Sequence, residues 1–335
     1  MILKRIGVDL GTTNILLYVP GRGIVVNEPS VVALEVSQNK VMAIGEEARE
    51  MLGRTPDSII AAHPLRDGVI ANFGVAKAML RHYLNRLGGP VRIFKPEFMI
   101  SIPAGATSTE RRAVTDAALQ AGAKEAYLIK EPVAAALGAG IPIASPSGNM
   151  IIDIGGGTTE VAVIALGDII ASTSVRVGGN RFDEAIINQI RKKHNLVIGQ
   201  VTAEQVKTKI GSALPNKKGI SIEVSGCNAI TGLPESVMIP ASDITLALRD
   251  PINEVIAAVK EVLQKTPPEL ASDVMDKGIV MTGGGSLLRS LDTLLTKVTG
   301  VPCQTAEDPM LCVARGTGVA IESLEAFKKS VLWLR

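Results

Sequence analysis

The sequence predicts an α/β protein of two domains, and three observations lead there. Short apolar strands alternate with amphipathic helices through both halves of the chain. A chain of 335 residues, 46% of them hydrophobic, is too long for one ordinary core and can bury two. One phrase is written twice, as Asp9-Leu-Gly-Thr-Thr-Asn14 and as Asp153-Ile-Gly-Gly-Gly-Thr-Thr-Glu160.

In each copy a strand enters the Gly-Thr turn (Ile6 and Val8; Ile151 and Ile152) and a second leaves it (Ile15 to Val19; Val161 to Leu166). That is the pattern of a β-hairpin. Glycines let backbone N–H groups approach an anion, and Thr or Asn side chains add donors. An Asp at the head of the turn suits a different task, holding a hydrated Mg²⁺ through its water shell. Either hairpin alone could merely turn. Two of them facing each other would clamp a polyphosphate.

After the first hairpin, residues 24–26, 31–34 and 41–45 read as short strands, and 46–52 and 75–87 as helices. Phe98 to Ile102 is a buried strand ended by Pro103, and a helix runs from near Ser108 to Gly122. Residues 126–129 form a strand, and 132–139 a helix with Pro at its start. The polar connector 143–148 marks the domain boundary. Beyond the second hairpin a helix is expected over 180–194 with Asn180 as N-cap, and another over 202–213 with Thr202 and Gln205 in capping-box spacing. A third helix spans 251–265 with Asp250 as its cap. The strand 278–281 leads through Thr282-Gly-Gly-Gly-Ser286 into a helix over 287–298.

Composition narrows the class of function. A net charge of +2 with no basic stripe argues against nucleic acid. Three scattered cysteines argue against a disulfide framework or a Cys-based zinc site, and for a reducing cytoplasm. The N-terminus leading straight into a strand leaves no room for a signal peptide, and the most apolar stretch, 161–171, is broken by Asp168, so no membrane span is expected. His63, His82 and His194 stand singly and read as packing or surface residues.

Several residues carry candidate chemistry. Gly283 to Ser286 lacks the Gly-x-Gly-x-x-Gly spacing of a dinucleotide fingerprint, so a glycine platform beside a base or ribose is preferred. Glu204 and Lys207 lie three apart on one helix face, either as a solvated ion pair or as ligands of ribose hydroxyls and of base or phosphate. Gly178 and Gly179, just before a helix, could also line a nucleotide. Lys130-Glu131-Pro132 puts a carboxylate at a strand-to-helix junction. Phosphoryl transfer to water needs chiefly Mg²⁺, phosphate donors and a group that orients the water. Glu131 suits the last role, with Thr158 on the same water or on the γ-phosphate. The alternative for Glu131 is a helix-dipole carboxylate.

The two hairpins, Glu131-Pro-Val-Ala-Ala-Ala136 and Thr282-Gly-Gly-Gly-Ser-Leu287 together resemble the actin/heat-shock-chaperone/sugar-kinase superfamily. Within it the chain is most similar to the MreB family of bacterial actins, notably over 147–163, 265–270 and 283–292. That resemblance implies an actin-like ATPase fold with two related domains around a central cleft that holds ATP and Mg²⁺. The first domain would be 1–145 plus 312–335 with a smaller lobe at about 30–75, and the second 146–311 with a smaller lobe at about 180–247.

Carried over, Thr12, Thr13 and Asn14 hold the phosphates, with Gly156, Gly157 and Thr158 opposite. Gly178, Gly179, Glu204, Gln205, Val206 and Lys207 flank the nucleoside, and Gly284, Gly285, Ser286 and Leu287 form the adenine-side loop. Asp9 and Asp153 hold Mg²⁺ through water, and Glu131 with Thr158 is the hydrolytic pair. Lys209 and Lys130 depart from the family pattern, each adding positive charge.

The family forms filaments of its own subunits on the inner face of the cell membrane, works with cell-wall elongation proteins and sets rod shape. Ile93 and Phe94, between Arg92 and Lys95, suit insertion into an anionic interface, as they also suit the start of a buried strand. The 327–335 tail is a second basic-apolar segment, read as packing back on the first domain as a helix. The competing readings are a sugar-type kinase, for which no general-base Asp stands out, and a chaperone ATPase, for which no following substrate-binding domain is expected. A Rossmann oxidoreductase is the outside alternative.

Overall fold

The computed structural model describes residues 4–37, 40–88, 95–215, 219–324 and 331–332. The chain opens with β1 (Arg5–Leu10), β2 (Asn14–Val19) and β3 (Gly23–Pro29). Next come β4 (Val32–Glu35), β5 (Lys40–Ile44), α1 (Glu46–Glu50), β6 (Ile59–Ala62), β7 (Leu65–Arg66) and β8 (Val69–Ile70). Then follow α2 (Phe73–Gly88), β9 (Glu97–Ile102), α3 (Ser108–Ala121), β10 (Glu125–Lys130) and α4 (Glu131–Gly138). The start of α3 is a full capping box. The Thr107 hydroxyl accepts from the Glu110 N–H at 3.3 Å, and the Glu110 carboxylate accepts from the Thr107 N–H at 2.7 Å.

The second half begins with β11 (Asn149–Ile154), β12 (Thr159–Ala165), β13 (Asp168–Val175), α5 (Gly179–His194) and β14 (Leu196–Val197). It continues with α6 (Gln200–Ile210), β15 (Ser221–Asn228), β16 (Pro234–Pro240), α7 (Ala241–Lys265) and α8 (Pro268–Lys277). Last are β17 (Ile279–Thr282), α9 (Leu291–Thr299), β18 (Cys303–Thr305), α10 (Cys312–Glu322) and β19 (Val331–Leu332).

The duplication seen in the sequence extends to topology. One sheet runs β3-β2-β1-β9-β10 and the other β13-β12-β11-β17-β18, strand for strand the same order, with β19 added beyond β10. In both, an antiparallel hairpin (β1/β2; β11/β12) is followed by a parallel strand beside its first member (β9; β17). The smaller sheets β5-β4-β6 and β14-β15-β16 stand apart from these.

Each large sheet has its own aliphatic core. A third cluster joins them, made of Met99, Ile129 and Val133 on one side, Ile151, Ala162 and Ile164 on the other, and Val313 and Ile321 of α10. Helices α4 and α10 cross so closely there that a Cβ on Gly138 would lie 1.8 Å from the Cys312 carbonyl oxygen, and one on Gly316 1.7 Å from that of Ala134. Only glycine permits this crossing, which fixes the base of the cleft.

Four boundaries differ from the sequence reading. Asn180 lies inside α5, whose N-cap is Gly178. Helix α6 starts at Gln200 after Gly199, and the expected Thr202/Gln205 capping box does not form. Helix α7 starts at Ala241, ten residues before the expected Pro251, which sits within it. Burial of Ile244 and Leu248 on the same face as Ile252 and Val255 outweighs the helix-breaking tendency of the proline. After Gly283 a 3₁₀ turn, Gly284–Leu287, precedes α9, which starts only at Leu291. The strands β15 and β16 were not read from the sequence: β15 alternates between inward and exposed positions, but the two strands together carry few apolar side chains, with Val224 and Ile239 their only fully buried residues.

The tail segment Val331–Leu332 pairs with β10 as a strand, where a helix was expected. Among the described residues no helix is long and apolar enough to cross a membrane. Cys227, Cys303 and Cys312 are all free thiols.

Candidate functional site

A cavity of about 420 Å³ lies between the two large sheets, at the ends of β1, β11 and β17. The two hairpin turns face each other across it. A Cβ on Gly156 would stand 1.9 Å from the Thr13 hydroxyl oxygen, and one on Gly157 2.7 Å from that of Thr12 and 3.0 Å from Asp67 Cα. The Thr12 hydroxyl accepts from the Gly68 N–H at 3.0 Å, and the Thr13 hydroxyl reaches Asn180 Oδ1 at 3.4 Å. Asn14 Nδ2 lies 3.3 Å from Asn27 Oδ1.

The second hairpin is held by α5. The Gly179 N–H donates to the Gly155 carbonyl at 3.0 Å and the Asn180 N–H to that of Gly156 at 2.8 Å. Gly178 makes this docking sterically feasible, since a Cβ there would lie 2.5 Å from the Gly155 oxygen.

Carboxylates crowd the floor. Asp9 accepts from the Ser101 hydroxyl at 3.0 Å, and Asp153 from that of Thr282 at 2.7 Å. Glu131 opens α4 between them and lines the cavity, as the strand-to-helix junction predicted. Burial, and then the neighbouring Asp153, pushes the Asp9 carboxyl up to about 7. Burial likewise takes Asp153 to about 6, against the lowering effect of Thr282. Glu131 is raised well above the carboxylate range by burial, then by Glu160, Asp153 and Asp9. No ion pair among the described residues reaches Asp9, Asp153 or Glu131. Among the described residues no three acidic, His or Cys side chains converge closely enough to ligate a metal directly.

Glu160, the last residue of the second repeat, was assigned no role from sequence. It is fully buried, accepting from the Ala104 N–H at 3.1 Å and from the Ser174 hydroxyl, and burial raises it to about 7. Its bond to Ala104 ties the second sheet to the loop that follows β9.

Helix α6 presents Gln200, Glu204, Lys207 and Thr208 to the cavity. Its opposite face excludes two expected residues: Gln205 is exposed, and Val206 is buried in the core at 1% exposure. Glu204 and Lys207 do not pair with each other. Lys207 binds Asp183 at 2.8 Å and the Gly179 carbonyl at 3.1 Å, while Glu204 binds Arg49 at 2.9 Å. Arg49 and Asp183 were not singled out from sequence, because partners 155 and 24 residues away leave no local signature.

Gly284, Gly285 and Leu287 line the cavity, whereas Ser286 turns under the loop and donates to the Gly283 carbonyl at 2.7 Å. His63 also lines it, with its imidazole held below its ordinary value by burial. Neither Lys130 nor Lys209 lines the cavity, so their extra charge falls outside it. Ile93 and Phe94 lie outside the described residues.

Twin sheets of matched topology, clasping a cleft with a Gly-Thr hairpin from each, define an actin-like protein. Comparison with known proteins narrows this. A family model described as MreB/Mbl protein matches residues 3–329, and the chain belongs to that family. It is 46% identical over 332 residues to the cell shape-determining protein Mbl of Bacillus subtilis (strain 168), covering 99% of this chain and 100% of the relative. To the cell shape-determining protein MreB of Escherichia coli (strain K12) it is 48% identical over 330 residues, covering 97% and 95%. The crystal structure of MreB5 of Spiroplasma citri bound to ADP superposes with a TM-score of 0.92 at 39% identity, covering 97% and 98%. A MamK double helical filament shares the fold, with a TM-score of 0.80 at 23% identity, covering 96% and 99%.

Proposed function

We propose that this chain binds and slowly hydrolyses ATP with Mg²⁺, assembles through copies of itself into filaments on the inner face of the cytoplasmic membrane, and organises cell-wall synthesis there to set rod shape. The observation that carries the reading is the pair of facing hairpins beside three buried carboxyls, Asp9, Asp153 and Glu131, that burial raises and no ion pair among the described residues relieves. The relatives add weight: MreB5 of Spiroplasma citri has been crystallised with ADP and with AMPPNP.

On this reading the backbone N–H groups and hydroxyls of Thr12, Thr13, Asn14, Gly156, Gly157 and Thr158 grip the phosphates. Glu204 and Lys207 flank the nucleoside, and the 284–287 turn lies by the base. Asp9 and Asp153 would hold Mg²⁺ through its water shell, since among the described residues no three acidic, His or Cys side chains converge to ligate it directly. The ion supplies charge neutralisation for the phosphates. Glu131 orients the attacking water, aided by Thr158. Positive charge in the cleft would offset the rise that burial, and then its acidic neighbours, impose on its carboxyl, and so favour the ionised acceptor that role requires.

The division into 1–145 plus 312–335 and 146–311 follows the two sheets, with α10 packed on α4 in the first. Ile93 and Phe94 are the proposed membrane contact. The tests are direct: ATP turnover, and electron microscopy of the purified protein with ATP and Mg²⁺. Filaments and turnover that both require the nucleotide support the reading. A protein that neither binds ATP nor assembles defeats it.

A further inference from the structure

Arg49 and Glu204 belong to different bodies. Arg49 sits on α1, which Ala48 anchors into the small cluster with Val31 and Ala33. Glu204 sits on α6, which Ala203 and Val206 anchor into the large core of the second half. Their side chains meet at 2.9 Å, and both line the cavity while staying part-exposed, which puts the pair at its solvent edge. Among the described residues this is the one ion pair that joins residues before the second hairpin to residues after it. Each side chain is 37% exposed, so water and salt reach the pair.

We infer that Arg49 is a nucleotide-retaining residue, which clasps Glu204 across the cleft and so closes the exit over a bound nucleoside. The inference rests on the nucleotide reading above and adds to it a residue for which that reading has no role. Three features of the site support it. Other contacts between the halves, among them Gly156 on Thr13, Gly157 on Thr12, Thr13 on Asn180 and Ala104 on Glu160, gather at the two hairpin turns and the loop after β9, away from Arg49 and Glu204. Among the described residues Glu204 has no other ion-pair partner, Lys207 on the same helix face being bound to Asp183. The guanidinium is a permanent cation with a rigid fork of donors, able to hold one carboxylate oxygen while the other faces a ribose hydroxyl. Opening the cleft must break this pair, and a nucleotide leaves only when it opens.

The consequence is kinetic. A part-exposed pair contributes little to equilibrium stability, about the equivalent of a two- to fivefold rate factor, and salt screens it. The test is release of radiolabelled ATP, in Mg²⁺, from protein kept below its assembly concentration and chased with unlabelled ATP. Arg49→Ala is expected to release ATP about two- to fivefold faster than wild type at low salt, with Arg49→Lys intermediate. Raising NaCl should speed release from wild type towards the rate of Arg49→Ala, whose own rate changes little. In a Glu204→Gln background, Arg49→Ala should add nothing.

Equal release rates for wild type and Arg49→Ala would overturn the clasp while leaving the nucleotide reading intact. So would the same added factor in both backgrounds, which would mean that Arg49 acts on the phosphates or the fold without Glu204. The salt series on wild-type protein decides the matter even if a variant folds poorly, since salt-independent release also overturns the clasp. Failure of wild type to retain any ATP would overturn the nucleotide reading, and the clasp with it.

Discussion

Gly156 and Thr13, 143 residues apart, lie so close that a side-chain carbon on the glycine would stand 1.9 Å from the Thr13 hydroxyl oxygen and 2.8 Å from its Cβ. Rotating the threonine relieves the first contact but not the second. Gly155, one residue earlier, has room, with nothing nearer than 3.5 Å to its own Cβ position. Gly156→Ala should therefore force the two hairpins apart and weaken ATP binding at least tenfold, about 1.4 kcal/mol, while Gly155→Ala changes it much less. Titration calorimetry with ATP and Mg²⁺ separates the two.

Glu131→Gln keeps the size and the helix-opening position of the side chain but replaces the basic carboxylate with a neutral amide that cannot take up a proton. Single-turnover hydrolysis should fall by at least about tenfold, the low end for loss of a positioned base or water-orienting group, with ATP affinity retained. An unchanged rate would mean that Glu131 is a helix-dipole carboxylate only.

Asp9 and Asp153 carry folded-state values of about 7 and about 6, above the ordinary 3.8. The folded protein therefore holds protons that the unfolded chain releases between those limits. Their contribution to stability is full below the unfolded value and is lost as pH rises through 6 to 7. The nucleotide-free protein should accordingly melt higher at pH 5.5 than at pH 8. Asp9→Asn and Asp153→Asn should each raise the melting temperature at pH 8, by at least about 2 °C, while increasing the Mg²⁺ needed for turnover. A fall in melting temperature at pH 8 would instead assign these residues a structural role.

Lys207 is the counter-ion of Asp183, which is 4% exposed and, through burial, still raised to about 6 despite that partner. Lys207→Ala strands a buried carboxylate and should destabilise the nucleotide-free protein by about 3 kcal/mol, the low end for breaking a buried pair. Glu204→Ala, losing only a part-exposed pair, should be worth under about 1 kcal/mol. Chemical denaturation of the apo variants ranks them. If both prove alike, Lys207 acts on the nucleoside more than on the fold.

Replacing Ile93 and Phe94 with Ser removes the apolar area proposed to enter the membrane and leaves Arg92 and Lys95, each worth about 1 kcal/mol near an anionic surface. Filaments should still form with ATP. Their sedimentation with anionic liposomes should drop and become more salt-sensitive. Pelleting like wild type would remove this segment as the anchor.

The sequence by itself determined the architecture and the end of the cleft where the two hairpins face each other. Both depend on local signals: apolar alternation on either side of a Gly-Thr turn, and a repeat whose two copies obey the same steric rules. Asp9, Asp153 and Glu131 were legible because each sits at a strand end or strand-to-helix junction that its own neighbours define. Tertiary structure decided what depends on distance along the chain. It carried α7 back through Pro251 to Ala241, because core burial outweighs a proline's local penalty. It turned Gln205 and Val206 away from the cavity once α6 took its helical phase from Ala203 and Ile210 in the core. It gave Lys207 to Asp183 and Glu204 to Arg49, where spacing alone had offered the two to each other. An ion pair between lobes has no sequence signature, since charge attracts through space and the fold alone sets which charges come within reach.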